Sequence, residues 1–340
     1  MIKVEHLTKY YGDHLAVDDL SFEISEGHVY GFLGPNGAGK TTTMNIITGC
    51  LSATEGRILI DGHDIFEESM EAKKCIGYLP EQPPLYMNET PADYLTFVGK
   101  AKGLRGEILV HQIDQVIEQT GISQVKNRRI SNLSKGFKQR VGIAQALLGN
   151  PKVIILDEPT VGLDPLQIIE IRDLIKSLGE NHTVIFSSHI LSEVQTICDE
   201  ILMISKGRLV AFDTPENLEK QLLSPNEILI TTDADEQQVR DLFSDDPTVS
   251  GVFFEESSSD YLRASIKTTL PDIYELSRSV FTAFAKSGMT LLEMSLKKAN
   301  LEDIFIELAD TPAAEPMGPD AAAAQATPIQ KNIETEEDKE

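Results

Sequence analysis

The 340 residues carry 30 basic and 54 acidic side chains, a formal charge of −24 at pH 7, with 41% hydrophobic residues, three cysteines and no tryptophan. That length admits two domains with a buried core in at least one, and so acidic a surface repels polyphosphate backbones, which argues against general nucleic-acid binding. Apolar runs fall short of the roughly eighteen residues of a membrane span, and no signal-peptide core or CxxC spacing is present. The chain is therefore expected to be cytoplasmic, with Cys50, Cys75 and Cys198 as reduced core thiols.

In chain order, MIKVEHLTKYYG opens as a strand, and a second strand at Val29–Leu33 runs into GPNGAGKTTT, Gly34 to Thr43. Glycine is poor inside either regular element, so three glycines and a lysine after a buried strand need a reason other than packing. Gly34-Pro35-Asn36-Gly37-Ala38-Gly39-Lys40-Thr41 fits G-x-x-x-x-G-K-[ST] (the Walker A, or P-loop, pattern) in its strand-to-helix setting, with Thr41 to Thr48 helix-like. Glycines let successive N–H groups converge on β- and γ-phosphates, and the helix N-terminus adds partial positive charge. Lys40 supplies a mobile full charge to the same oxygens, Thr41 offers a hydroxyl to Mg²⁺, and Gly34 through Thr42 are the candidate nucleotide-binding positions.

Residues from about 91 to 148 show helical periodicity, with apolar faces such as Tyr94-Leu95-Phe97-Val98 and Val110-Ile113-Val116-Ile117, and read as a helical insertion. Lys126, Arg128, Arg129, Lys135, Lys138 and Arg140 form a basic cluster within it. The strand Val153–Leu156 ends in Asp157-Glu158. Two carboxylates are costly at the end of a buried strand unless a cation and a water use them. Asp157 is expected to hold Mg²⁺, directly or through water, and Glu158 to polarise the attacking water as general base. Strands at Thr183–Ser187 and Ile201–Ile204 complete a largely parallel sheet covered by helices.

After Leu223 the pattern changes. Strands at Glu227–Thr232, Leu262–Lys267 and Leu291–Leu296 and helices at Glu236–Phe243 and Pro271–Ser287 predict a small α+β domain over 224–310, with a ferredoxin-like sandwich as the expected arrangement. Residues 311–340 are rich in Ala, Pro and acid and bury too little to fold, so a disordered tail is expected.

Leu133-Ser134-Lys135-Gly136-Phe137-Lys138-Gln139-Arg140 resembles the signature loop of ATP-binding cassette (ABC) ATPases, usually written LSGGQ. With Glu158-Pro159-Thr160, Gly162-Leu163-Asp164-Pro165 and Ser187-Ser188-His189, the order and spacing are similar to that family over a domain of residues 1–223. LSKGFKQRVGIAQALLGNP and SSHILSEVQTICDEILMISKGRLV resemble the ATP-binding subunits of bacterial exporters of the gliding-motility and drug-resistance type, and Leu301 to Leu308 resembles a motif ending many of them.

The resemblance implies a P-loop ABC cassette of α/β class, an ATPase that binds ATP and Mg²⁺. Tyr11 would stack on adenine, which needs only an aromatic face, and His189 would contact the γ-phosphate and position the water. Ser134 and Gly136 would bind ATP held by a second nucleotide-binding subunit, identical or related, in a head-to-tail dimer whose interface Asp164 crosses. Where the family has a glutamine beside the metal and the attacking water, this chain reads Tyr78-Leu79-Pro80-Glu81-Gln82; Glu81 is in register and Gln82 one residue late. A carboxylate accepts as an amide oxygen does but lacks the N–H donors. Lys135 and Phe137 replace the signature's usual glycine and glutamine. Lys135 reads either as an exposed charge at a helix start or as added positive charge facing the partner's triphosphate.

The implied function is the ATP-driven subunit of an exporter, peripheral on the inner face of the membrane through a separate permease chain that docks near Pro83-Pro84-Leu85-Tyr86-Met87. The alternatives are a soluble ABC ATPase of translation or repair, or a regulatory module that binds ATP without turnover. Neither the second cassette of the former nor the lost catalytic residues of the latter is visible.

Overall fold

From the N-terminus, β1 (Ile2–Tyr11) and β2 (His14–Ile24) pair antiparallel, β3 (Val29–Leu33) leads into α1 (Lys40–Ile47), and β4 (Glu55–Ile60) and β5 (His63–Asp64) extend the sheet begun by β1. This is a computed structural model, and it describes residues 1–221, 227–244, 246–254, 261–268 and 272–297. Next come α2 (Ser69–Lys74), β6 (Ile76–Leu79), and the helical insertion of α3 (Pro91–Ala101), α4 (Gly106–Gln119) and α5 (Lys135–Leu147). The unit closes with β7 (Val153–Leu156), α6 (Pro165–Gly179), β8 (Thr183–Ser188), α7 (Leu191–Ile197), β9 (Glu200–Ser205), β10 (Arg208–Asp213) and α8 (Pro215–Gln221).

Strands β9-β3-β8-β7-β6 run parallel, with β10 antiparallel on the β9 edge. Every residue of β3, β7 and β8 is buried, as central parallel strands with both faces covered require. One face, through Ile154, Leu156, Val184 and Phe186, packs on the helical insertion with α6 and α7. The other, through Phe32, Ile155, Ile185 and Leu202, packs on α1 and the antiparallel sheet β2-β1-β4-β5. That second sheet departs from the single, largely parallel sheet read from the sequence.

A third, antiparallel sheet holds β11 (Glu227–Thr232), β12 (Gly251–Phe254), β13 (Leu262–Lys267) and β14 (Leu291–Lys297) in the order β12-β13-β11-β14. With α9 (Glu236–Phe243) and α10 (Ile273–Ser287) interleaved, this is the βαββαβ order of a ferredoxin-like sandwich. Ile228 and Ile230 face Val239, Phe243, Leu276 and Phe284 of the helices in its core. Of the cysteines expected in the core, Cys198 is buried, Cys75 half-buried and Cys50 exposed. Cys50 follows α1 in a turn, its N–H donating to the Asn45 carbonyl, so it lies beyond the buried face of that helix. The expected tail and the motif from Leu301 to Leu308 lie outside the described residues.

Candidate functional site

The chain leaves the buried end of β3 where side chains have no room. A Cβ at Gly34 would lie 2.4 Å from the Ile204 carbonyl oxygen, and one at Gly39, the N-cap of α1 with φ of 101°, would lie 2.6 Å from that of Ala16. Glycine at both lets the loop wrap tightly into α1. The helix start carries no side-chain cap and no acid in its first turn, which leaves its N–H groups and partial positive charge available to an anion. Lys40, 6% exposed, donates from Nζ to the carbonyls of Gly34 at 2.8 Å and Pro35 at 3.4 Å, and pairs with Glu158 Oε1 at 3.4 Å.

Opposite the loop, β7 and β8 deliver Asp157, Glu158, Ser187 and His189. Asp157 Oδ1 accepts from Ser187 Oγ at 2.6 Å and from Thr41 Oγ1 at 3.4 Å. Its Oδ2 is, among the described residues, the one fully buried side-chain polar atom without a hydrogen-bond partner. An unpaired carboxylate oxygen is costly in such a place, and beside the Thr41 hydroxyl it fits a divalent cation. Glu158 has φ of 48°, a strained value for a residue with a side chain. Its N–H donates to Ser187 Oγ at 2.8 Å, and His189 Nδ1 lies 2.9 Å from its Oε2. A carboxylate only accepts, so Nδ1 is the donor in this contact, and Nε2 takes no part in it. Glu158 thus has Lys40 on one oxygen and His189 on the other. Tyr78 donates to Asn45 Oδ1 of α1 at 3.1 Å; burial, reinforced by the charge of Asp157, raises its phenol well above the ordinary value and keeps it a neutral donor.

Lys40, Thr41, Glu158 and His189 border a cavity of about 410 Å³. Of the residues expected at the site, Tyr11, Asn36, Gly37, Gly39, Lys40, Thr41, Thr42, Glu81, Glu158 and His189 line it. Gly34, Pro35 and Ala38 belong to the turn of the loop behind that lining, and Asp157 is buried beneath it. Gln82 is not part of the lining. Tyr11 is 48% exposed, its ring 5.4 Å from the Lys9 ammonium. His14, Ala16 and Val161 also line the cavity and went unread in the sequence. Recognising the hairpin that turns at Gly12-Asp13 would have brought the first two into view.

Ser134, Gly136 and Asp164 are not among the lining residues. Ser134 caps α5, accepting from Phe137 N at 3.4 Å, and Asp164 caps α6, accepting from Gln167 N at 2.9 Å. The two helix starts touch each other: Gly136 packs on the Gln167 side-chain amide, and the Lys135 ammonium rests over Gly162. Arg140 of the basic cluster is neutralised by Glu170 at 2.7 Å.

A phosphate loop feeding a helix, with an orphaned aspartate oxygen and a Glu–His pair at the carboxyl ends of parallel strands, defines a P-loop ATPase. The sequence profile described as "ABC transporter" matches residues 17–161. The chain is 32% identical over 308 residues to the ABC transporter ATP-binding protein YxlF of Bacillus subtilis, covering 91% of this chain and 99% of that one. It is 34% identical over 318 residues to the bacitracin transport ATP-binding protein BcrA of Bacillus licheniformis, covering 91% and 97%. Its structure is similar to the dimeric, post-hydrolysis state of the ATP-binding cassette MJ0796 bound to ADP and Pi, with a TM-score of 0.57, 26% identity, and coverage of 63% of this chain and 98% of that one. The chain belongs to the ATP-binding proteins of ABC transporters and is an ATPase. No helix among the described residues is long and apolar enough to cross a membrane.

Proposed function

We propose that this chain and a second nucleotide-binding subunit close head to tail around ATP, and that closure followed by hydrolysis drives a separate membrane exporter chain. The observation that carries the reading is the division of the site. Lys40, Glu158 and His189 line one cavity, whereas Ser134, Gly136 and Asp164 stand outside it at two adjoining helix starts. A single chain leaves that second set without a ligand, and a second subunit turned end for end supplies one.

In this reading Tyr11 offers its ring to the adenine, and the backbone N–H groups of the loop from Gly34 to Thr42, Pro35 excepted, hold the phosphates with Lys40. Thr41, Asp157 and Glu81 would hold Mg²⁺, which when bound neutralises phosphate charge. Among the described residues no group of three or more His, Cys, Asp or Glu forms a self-sufficient metal cluster. That suits a cation completed by phosphate oxygens and water. Glu158 accepts the proton of the attacking water, and His189 fixes the Glu158 carboxylate by donating from Nδ1; with both ring nitrogens protonated it would also donate from Nε2 to the γ-phosphate.

Communication with the exporter has a route in the loop after β6. Glu81 lines the cavity, while the stretch that follows is bonded to the helical insertion: Tyr94 Oη donates to the Pro84 carbonyl at 3.3 Å, and the N–H groups of Ile130 and Ser131 donate to Glu89 and Met87 at 2.9 Å. Tyr86, Met87 and Phe97 are exposed there, with the Tyr86 ring 5.3 Å from that of Phe97, an apolar patch suited to a partner chain. The relative BcrA, named for bacitracin transport, supports an exporter role, with the cargo set by the permease.

Size exclusion of Glu158→Gln with MgATP tests the shared site. Dimers are expected, and adding Ser134→Arg, which crowds the signature loop, should return monomers. Monomeric Glu158→Gln under saturating ATP, or dimers indifferent to Ser134→Arg, would overturn the proposal.

A further inference from the structure

Behind the two groups proposed to act on the water lies a buried acid that takes no part in binding. Glu193, in the first turn of α7, is 3% exposed and has no ion pair among the described residues. Its Oε2 accepts from Thr160 Oγ1 at 2.8 Å and from Ser188 Oγ at 3.0 Å. Thr160 lies two residues after Glu158, and Ser188 immediately precedes His189. Ser188 Oγ also accepts from Ile190 N at 3.0 Å, so the serine hydroxyl spans His189 from both sides. The two loops that meet at the 2.9 Å contact between Glu158 and His189 are thus tied a second time, one layer deeper, through one carboxylate oxygen.

A carboxyl group with two hydroxyl donors on one oxygen and no countercharge is a costly group to keep buried. A hydrophobic residue would fill the space more cheaply but would leave Thr160 Oγ1 without an acceptor and Ser188 Oγ with only the Ile190 carbonyl, at 3.4 Å, to donate to. Glu158 needs such a tie because its backbone sits at φ of 48° and must be held there by its surroundings.

We infer that Glu193 is a positioning residue for hydrolysis, fixing the Glu158 loop against the His189 loop through Thr160 and Ser188. The inference rests on the roles proposed above for Glu158 and His189. It differs from them in that Glu193 touches neither nucleotide nor water. Displacing a reacting group by about 1 Å can cost on the order of 100-fold in rate with little effect on substrate binding, so loss of the tie should appear in kcat and not in ATP affinity.

The test uses the full chain, measuring kcat and KM for MgATP together with the Kd of a fluorescent ATP analogue. Glu193→Ala is expected to lower kcat by about 10- to 100-fold with Kd nearly unchanged. Glu193→Gln, which keeps a carbonyl acceptor for both hydroxyls, should recover at least roughly a third of the parent rate. Thr160→Val removes one hydroxyl without changing side-chain size; it should lower kcat by itself and add little to Glu193→Ala, and it carries the test if Glu193→Ala fails to fold. Parent-like kcat in both Glu193→Ala and Thr160→Val, additive losses, or a Gln variant as poor as the Ala variant would overturn the inference. If Glu158→Gln and His189→Ala themselves turn over at the parent rate, the underlying reading fails instead.

Discussion

Lys40 and Glu158 form a 3.4 Å ion pair although each side chain is more than nine-tenths buried. The Lys40 ammonium has two further acceptors, the carbonyls of Gly34 and Pro35, and Glu158 has His189 on its other oxygen. The pair leaves both buried charges compensated. Phosphate oxygens would compete for the same ammonium, so ATP binding would release Glu158 Oε1 for the attacking water.

The two ends of that pair should therefore fail differently. Lys40→Ala removes the mobile charge of the loop, and nucleotide affinity is expected to fall by at least about 10- to 100-fold, or roughly 1.4 to 2.8 kcal/mol. His189→Ala should leave affinity nearly intact and lower turnover by on the order of 100-fold. Titration with a fluorescent ATP analogue beside a phosphate-release assay separates the two. Tight binding by Lys40→Ala would remove the lysine from the phosphate site.

Gly77 in β6 tests how closely the helical insertion is docked on the sheet. A Cβ at that position would lie 2.2 Å from the Ala146 carbonyl oxygen, a backbone atom of α5 that cannot rotate aside. Gly77→Ala must push the helix off the strand and is expected to destabilise the chain by about 1–3 kcal/mol. Urea unfolding should show the midpoint falling. An unchanged midpoint would mean that α5 lies farther from β6 than described.

The patch of Tyr86 and Phe97 should matter to the partner and not to ATP. Both rings are about half exposed, and neither lines the nucleotide cavity. Replacing both with serine is expected to leave basal turnover of the isolated chain within about 2-fold, since surface changes of this kind cost little stability, while the chain shifts from the membrane pellet to the supernatant on fractionation of cells. Continued sedimentation with membranes would place the docking surface elsewhere.

The parts of the fold that were legible in the sequence are those where burial leaves one pattern. β3, β7 and β8 are unbroken apolar runs because both faces are covered, and each appeared at its observed position to within a residue. The antiparallel sheet was not legible as a sheet. β1 and β2 bury one face, bulge between Val4 and Tyr10, and expose both Tyr10 and Tyr11 at the turn, so their alternation is broken where it would have signalled a hairpin. β12 is four residues with none fully buried, too short and too exposed to register a period. At the site, the phosphate loop and Asp157-Glu158 could be read because glycine and paired acids are costly in those settings. The roles of Thr160, Ser187 and Glu193 could not, since a buried hydroxyl or acid shows its purpose only through partners distant in sequence.

Glu81 stands where the resemblance to the family implies a glutamine, and the cavity lining includes Glu81 and not Gln82. A carboxylate there adds negative charge beside Asp157, Glu158 and the phosphates, repulsion that a bound cation relieves, so the cation would be held more tightly than beside an amide. Hydrolysis should depend steeply on Mg²⁺. Glu81→Gln keeps the size and an acceptor oxygen while removing the charge, and is expected to raise the Mg²⁺ concentration for half-maximal turnover by about 3- to 10-fold, an effect of roughly 0.6 to 1.4 kcal/mol. Gln82→Ala, outside the lining, should shift it by less than about 2-fold. Mg²⁺ titrations of the two single variants beside the parent, at fixed ATP and ionic strength, decide the matter. If Gln82→Ala cripples turnover and Glu81→Gln does not move the titration, the residue that senses the metal is Gln82, and the loop shifts by one position when nucleotide binds.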